Sequence, residues 1–243
     1  MNNSGNVDCI IDSIVEKFFD YWRGIHKELK AYPTAKEAFM ELFRLKSDVV
    51  ETVREIANNY FQRVEIADRS CFITSVVLVV YPAMDQALAA FVTGSLPLCF
   101  HALRVSLEAL TSGFYLDLSE KSEARAIDRL EGFRKKFDTK EISSFSYFLK
   151  NLLPVDEETS EAVLDVWSRT SNDFLHFKGY VKKIRRWENE VKDTPPPSFL
   201  TGAFVPYSES DDEDLRELME VVKKTKQILG TLFSRWKAGY QSQ

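Results

Sequence analysis

Residues 72–92 read FITSVVLVVYPAMDQALAAFV, and the fold turns on whether the first ten of them form a strand or a helix. Taken alone, FITSVVLVVY suits a buried strand, because β-branched side chains dominate it and pack well on a pleated surface. Its continuation, PAMDQALAAFV, is helical in composition, with Pro82 placed for the first turn of a new helix or for a kink. Helical spacing on both sides and the lack of any partner strand decide the matter: the stretch is read as helix, broken near Pro82. It is also long enough to suggest a membrane span. Pro82, Asp85 and Gln86 interrupt it, and it has neither aromatic anchors nor a polybasic margin, so a buried core segment with no membrane contact is expected.

Working outward, apolar residues recur at helical spacing through Ile10, Ile14, Phe18 and Trp22. Pro33 breaks that run. Thr34 then offers an N-cap, with Glu37 completing a T-x-x-E capping box. A long helix follows to about residue 67, carrying Phe39, Leu42, Phe43, Val49, Val50, Val53, Ile56 and Tyr60 on one side. Beyond the opening stretch, GSLP (94–97) marks a turn and the next helix spans about 97–118. A charged helix, a shorter one stopped by Pro154, and a long one with a break at Gly179 come next. KDTPPPSFLTGAFVPYSES (192–210) has loop composition. It is either a functional loop or a connector pinned by Phe199, Phe204 and Tyr207. Ser210 followed by Asp-Asp-Glu-Asp opens the last helix, with acids at the positive end of its dipole. The expected fold is all-α: a multi-helix bundle of long antiparallel helices. An N-terminal helical arm (1–67) packs on the bundle proper (68–243), and the two form one continuous domain.

Composition narrows the function classes. The 243 residues are 44% hydrophobic and 28% charged, with 18 Phe, nine Tyr and four Trp to build a core. A net charge of −5 argues against a broad electrostatic grip on nucleic acid. Three basic clusters, at 134–136, 182–186 and 223–226, are each either a local anion site or a solvated helix face. Cys9, Cys71 and Cys99 are widely spaced and read as small buried hydrophobes in a reducing compartment. The N-terminus lacks the basic-then-apolar layout of a signal peptide, so a cytoplasmic location is expected. The sequence holds no paired Glu-x-x-His, no C-x-x-C, no phosphate-binding glycine loop and no G-x-S-x-G, and no metal or cofactor is expected.

Two helices carry narrow polar stripes. At about 100° per residue, His101, Arg104, Glu108, Thr111 and Tyr115 align on the helix at 97–118. Leu103, Leu107, Leu110, Phe114 and Leu118 line one flank. A polar stripe on so apolar a helix must find partners or line a cleft, because a buried unpaired charge is very costly. Later, WSRTSNDFLHF (167–177) sets Arg169, Asp173 and His176 on one face, with Asp165 and Tyr180 beside them. That face is either solvated or a working edge. If the stripes face each other, Glu108 would pair with Arg169, or Arg104 with Asp173, which would also make a satisfied structural network.

Arg169-x6-His176 resembles the R-x4–6-H signature of the HEPN superfamily (higher eukaryotes and prokaryotes nucleotide-binding). Arg104-x3-Glu108 resembles the R-x3-E on an earlier helix of some of its bacterial and archaeal relatives. The resemblance spans roughly residues 70–190 and departs at Thr170, where a polar Asn, Asp or His commonly follows the motif's Arg. It implies an α-helical bundle, commonly a homodimer, of a superfamily with many metal-independent ribonucleases from toxin and phage-defence systems. In that reading His176 is the general base or acid, Arg169 clamps the phosphate, and Asp173 orients the imidazole or pairs with the Arg. His101, Arg104, Glu108 and Tyr115 support them, and two such edges meet in a dimer cleft. RNA and an antitoxin-like protein are the implied partners. The alternative is a non-catalytic helical dimerisation or interaction module, which the acidic net charge and Thr170 favour.

Overall fold

The computed structural model describes residues 32–60, 68–119, 123–172, 207 and 209–241, and every element among them is helical. In chain order these are α1 (Pro33–Tyr60), α2 (Cys71–Ser75), a π-helical turn (Val76–Val80), α3 (Tyr81–Val92), α4 (Leu96–Ser119), α5 (Ala126–Asp138), α6 (Phe145–Asn151), α7 (Glu157–Asn172) and α8 (Asp212–Gln241). A 3-10 turn, Glu209–Asp211, leads into α8.

The deciding stretch is helical throughout. Ser70 caps α2, its Oγ accepting the Ile73 N–H at 3.1 Å. α2, the π turn and α3 then run on as one rod. The expected break near Pro82 is instead this π turn just before it, where the Tyr81 N–H reaches the Val76 carbonyl five residues back. Pro82 brings no N–H and its ring crowds the preceding turn, so a locally widened helix lets the rod continue where an α-helix would kink. Burial of Cys71, Phe72, Ile73, Val76, Val80, Met84 and Phe91 outweighs the β preference of the run.

Pro33 opens α1. The Tyr32 carbonyl accepts the Lys36 N–H, so Thr34 lies inside the first turn and is not the cap. α1 buries Ala35, Ala38, Leu42, Leu45, Val49, Ile56 and Tyr60, leaving Phe43 outside, half exposed. Between α3 and α4, Gly94 takes φ 72°, and the Gly94 and Ser95 N–H groups close back on the Phe91 and Ala90 carbonyls. This αL stop requires glycine.

Side-chain pairs fix the directions of the long helices. Lys226 with Asp48 and Lys237 with Glu55 set α8 parallel to α1. Lys46 with Asp85 and Phe39 with Phe91 set the rod antiparallel to α1, and Cys99 Sγ against the Ala87 carbonyl with Gly113 against Cys71 sets it antiparallel to α4. Arg104 with Ser171 and Glu108 with Trp167 set α7 antiparallel to α4. The long rods therefore alternate in direction in chain order, with α8 lying parallel against α1, while Phe133 and Phe137 of α5 and Phe145 and Phe148 of α6 build an aromatic annex on Tyr115 of α4. The rod and α4 approach most closely at Gly113, where a Cβ would lie 2.7 Å from the Cys71 carbonyl oxygen and 2.9 Å from Phe72 Cα.

Near the end of α4 sits Asp117, its side chain fully buried. One carboxylate oxygen accepts the Cys71 N–H at 2.9 Å and Arg129 Nη1 at 3.2 Å. The other accepts Ser70 Oγ at 2.6 Å, the Phe72 N–H at 3.1 Å and the Trp236 indole N–H at 2.9 Å. Asp117 thereby satisfies orphan N–H groups at the start of α2 and ties together α2, α4, α5 and α8. Asp117→Ala would strip Arg129, only 7% exposed, of its carboxylate, and we expect it to lower unfolding stability by about 3–5 kcal/mol. Urea denaturation checks this: a loss under about 1 kcal/mol would mean that the hub is not needed.

Candidate functional site

α7 forms because Asp156 caps it, its Oδ1 accepting the Thr159 N–H at 2.8 Å, and because Glu157 and Glu158 sit at the positive end of its dipole. Val163 and Val166 are fully buried against the core. Its polar side chains then divide between two seams, one with α4 and one with α8.

Toward α8, Arg169 donates through Nε to Asp165 at 2.9 Å and through Nη1 to both oxygens of Glu217 at 3.0 Å. Lys224 donates to the other oxygen of Asp165. Two cations and two anions make a closed, neutral quartet. Burial alone would raise the Asp165 carboxyl, but the hydrogen bonds from Lys224 and Arg169 outweigh it and hold it below the ordinary carboxylate range. The Asp165 hydrogen bond pushes the Arg169 guanidinium above its usual value, against a smaller opposing effect of burial, with Glu217 adding to the rise.

Toward α4, the Arg104 guanidinium lies 4.8 Å from the centre of the Trp167 ring. Its Nε donates to Glu108 at 2.9 Å and its Nη1 to Ser171 Oγ. The same Glu108 oxygen accepts the Trp167 indole N–H at 3.0 Å. The two polar stripes do meet, but not in the pairing expected between Glu108 and Arg169: Glu108 takes Arg104 and Trp167, while Arg169 turns to α8. Asp173 and His176 lie outside the described residues, as does the Arg104–Asp173 alternative.

The rest of the first stripe disperses. His101 is exposed. Thr111 satisfies its hydroxyl on the Leu107 carbonyl of its own helix. Tyr115 packs its ring 5.5 Å from Phe133 and 5.2 Å from Phe148 in the aromatic annex, away from the Arg104 cluster. Thr170 faces inward, fully buried, with its hydroxyl on the Val166 carbonyl. Sequence reading missed Glu217, Trp167 and Ser171 as partners. Trp167 and Ser171 stand within the quoted motif stretch, and each lies a helical turn or less from Arg169 or Thr170, so the signal was the second face of the same helix.

Among the described residues, cations of the basic clusters pair with neighbouring acids. Arg134 pairs with Asp138 and Lys135 with Glu131, one turn away on α5. Lys223 pairs with Glu220, Lys224 with Asp165 and Lys226 with Asp48. The cluster at 182–186 lies outside the described residues. Among the described residues no group of three His, Cys, Asp or Glu side chains is placed to hold a metal ion. Cys71 and Cys99 are buried thiols outside any disulfide.

The quartet makes two measurable predictions. Its members are about a third exposed, so Arg169→Ala should cost only about 1 kcal/mol in a thermal melt monitored by circular dichroism. Because the Asp165 carboxyl is depressed in the folded state, its contribution is present above the unfolded carboxylate range and is lost as pH falls through the folded value. Asp165→Asn should therefore flatten the acid limb of stability below about pH 4; an unchanged acid limb would show that the carboxylate does not contribute there. No family model, no curated protein and no solved structure matches the chain.

Proposed function

We propose that this chain is a non-catalytic helical interaction protein, and not a ribonuclease. The observation that carries this reading is the neutral quartet: Arg169, the expected phosphate clamp, is held by two carboxylates, Asp165 and Glu217. A phosphate would have to displace a bidentate partner and approach a site whose nearest other charges include both acids. The pairing of the cations at 134–135 and at 223, 224 and 226 with neighbouring acids supports the same reading, as does the net charge of −5. Buried thiols outside any disulfide fit a reducing, cytoplasmic setting.

One observation favours the second reading, a HEPN-like protein that cleaves or binds RNA. Arg104 and Glu108 of the R-x3-E pair reach Ser171 and Trp167, on the same helix end that leads to His176.

A cleavage assay separates the two. Purified full-length chain is incubated with fluorescently labelled single-stranded and structured RNAs, with and without a chelator, beside His176→Ala. We expect no cleavage above that of the His176→Ala protein under any condition. Chelator-resistant cleavage that disappears in His176→Ala would overturn the interaction reading and establish the second.

A further inference from the structure

The rod Cys71–Val92 is long and apolar enough to cross a membrane, yet less than half of its most apolar window is buried inside the bundle. Its outward edge presents Leu78, Tyr81, Pro82, Asp85, Gln86 and Ala89. Leu78 is 68% exposed, and Asp85 is the one Asp, Glu, Lys or Arg in the whole rod. An exposed helix face on a soluble bundle normally alternates charges. α1 runs antiparallel alongside and adds Phe43, 49% exposed. Lys46, one turn on from Phe43, donates to Asp85 and lies 6.0 Å from the Tyr81 ring, so the two helices present one continuous strip.

We propose that this α1–α3 strip is the surface on which a second copy of the chain seats. The proposal rests on the interaction reading and names its partner. Charge selects the occupant. The central charged groups are one Lys and one Asp, side by side and mutually neutralised, so the strip attracts neither a polyanion nor an acidic membrane. A two-fold axis through the pair places the Lys46 of each copy beside the Asp85 of the other, with Phe43, Leu78 and Tyr81 packed around them. This is the self-complementarity an isologous contact requires. Two helices wide and about three turns long, the strip offers roughly half of the ~800 Å² per partner of a standard interface, so the dimer is weak and reversible. α7 packs on α4, α6 and α8, whereas the strip belongs to α1 and α3. Copies joined here keep their α7 helices apart, and no cleft forms between two Arg169-bearing edges.

Sedimentation analysis of the full chain from ~1 to ~100 μM tests this. The wild type should dimerise in that range, and Leu78→Glu, at a site too exposed to harm folding, should weaken association at least about tenfold. Lys46→Glu and Asp85→Lys should each be monomeric alone and should form a heterodimer when mixed, which no purely intramolecular pair would do. A dimer unweakened by Leu78→Glu would overturn the strip while leaving the interaction reading in place, since RNA cleavage tests that reading separately. A wild type that stays monomeric overturns the proposal, and Leu78-dependent co-sedimentation of that monomer with phosphatidylcholine vesicles would identify a lipid surface as the occupant instead.

Discussion

The bundle depends on one buried carboxylate. Asp117 accepts five donors, two of them backbone N–H groups at the start of α2, with Arg129 supplying the countercharge. Moving a carboxylate out of water costs several kcal/mol even after relaxation, and only near-complete hydrogen bonding offsets that. The arrangement therefore tolerates little error. If α8 slid by one residue, the Trp236 indole would lose its acceptor. If the rod shifted along α4, the Cys71 and Phe72 N–H groups would be buried unpaired, and Gly113 would no longer face the Cys71 carbonyl that its missing side chain admits. Apolar packing accepts many registers of helix on helix; this carboxylate accepts one.

α7 shows how polar groups at a helix seam can satisfy one another. Its two arginine contacts differ in kind. Arg104 is sandwiched between an aromatic face and a carboxylate on its own helix, a geometry that holds α4 against α7 through a planar cation. Arg169 is the centre of an ion-pair chain that continues through Asp165 to Lys224 and so fastens α7 to α8. Among the described residues, both positive charges are matched by neighbouring carboxylates.

Much of the fold is legible in the sequence because helical periodicity survives any rearrangement of partners. The polar stripe on α4 follows from spacing, the opening of α8 from its run of acids after Ser210, and the helical reading of 72–92 from the helices on either side and the lack of a partner strand. What escapes is whatever depends on a contact distant in sequence. Asp117 continues the series Leu103, Leu107, Leu110, Phe114, alternating four and three residues, so it stands on the apolar flank itself. A charge in that line has to be neutralised inside the core, and this signal was available; the series was instead extended to Leu118. The π turn could not be read, since Pro82 licenses a kink or a first turn equally well and the choice belongs to the packing of the rod on α4. Phe43 was placed inside by periodicity, whereas the buried stripe of α1 runs through Leu42 and Leu45 and passes it by. The site was less legible than the fold. Helical spacing groups Arg169 with Asp165 but cannot reveal Glu217, 48 residues on.

The two sides of the bundle consequently interact with their surroundings by different physics. On the α7–α8 side, ion pairs close on themselves, and their energy varies with pH and salt but offers nothing outward. On the α1–α3 side, the Lys46–Asp85 pair sits amid apolar surface whose removal from water gains about 25 cal/mol per Å². A chain of net charge −5 repels its own copies at long range. Contact through the strip, as proposed, would have to overcome that repulsion at short range, through apolar area and a locally neutral centre. In the proposed dimer, rising salt would screen this repulsion and the Lys46–Asp85 cross-pairs alike while leaving the apolar gain intact, so its salt dependence would be shallow, unlike the steep loss of affinity at a phosphate-binding face.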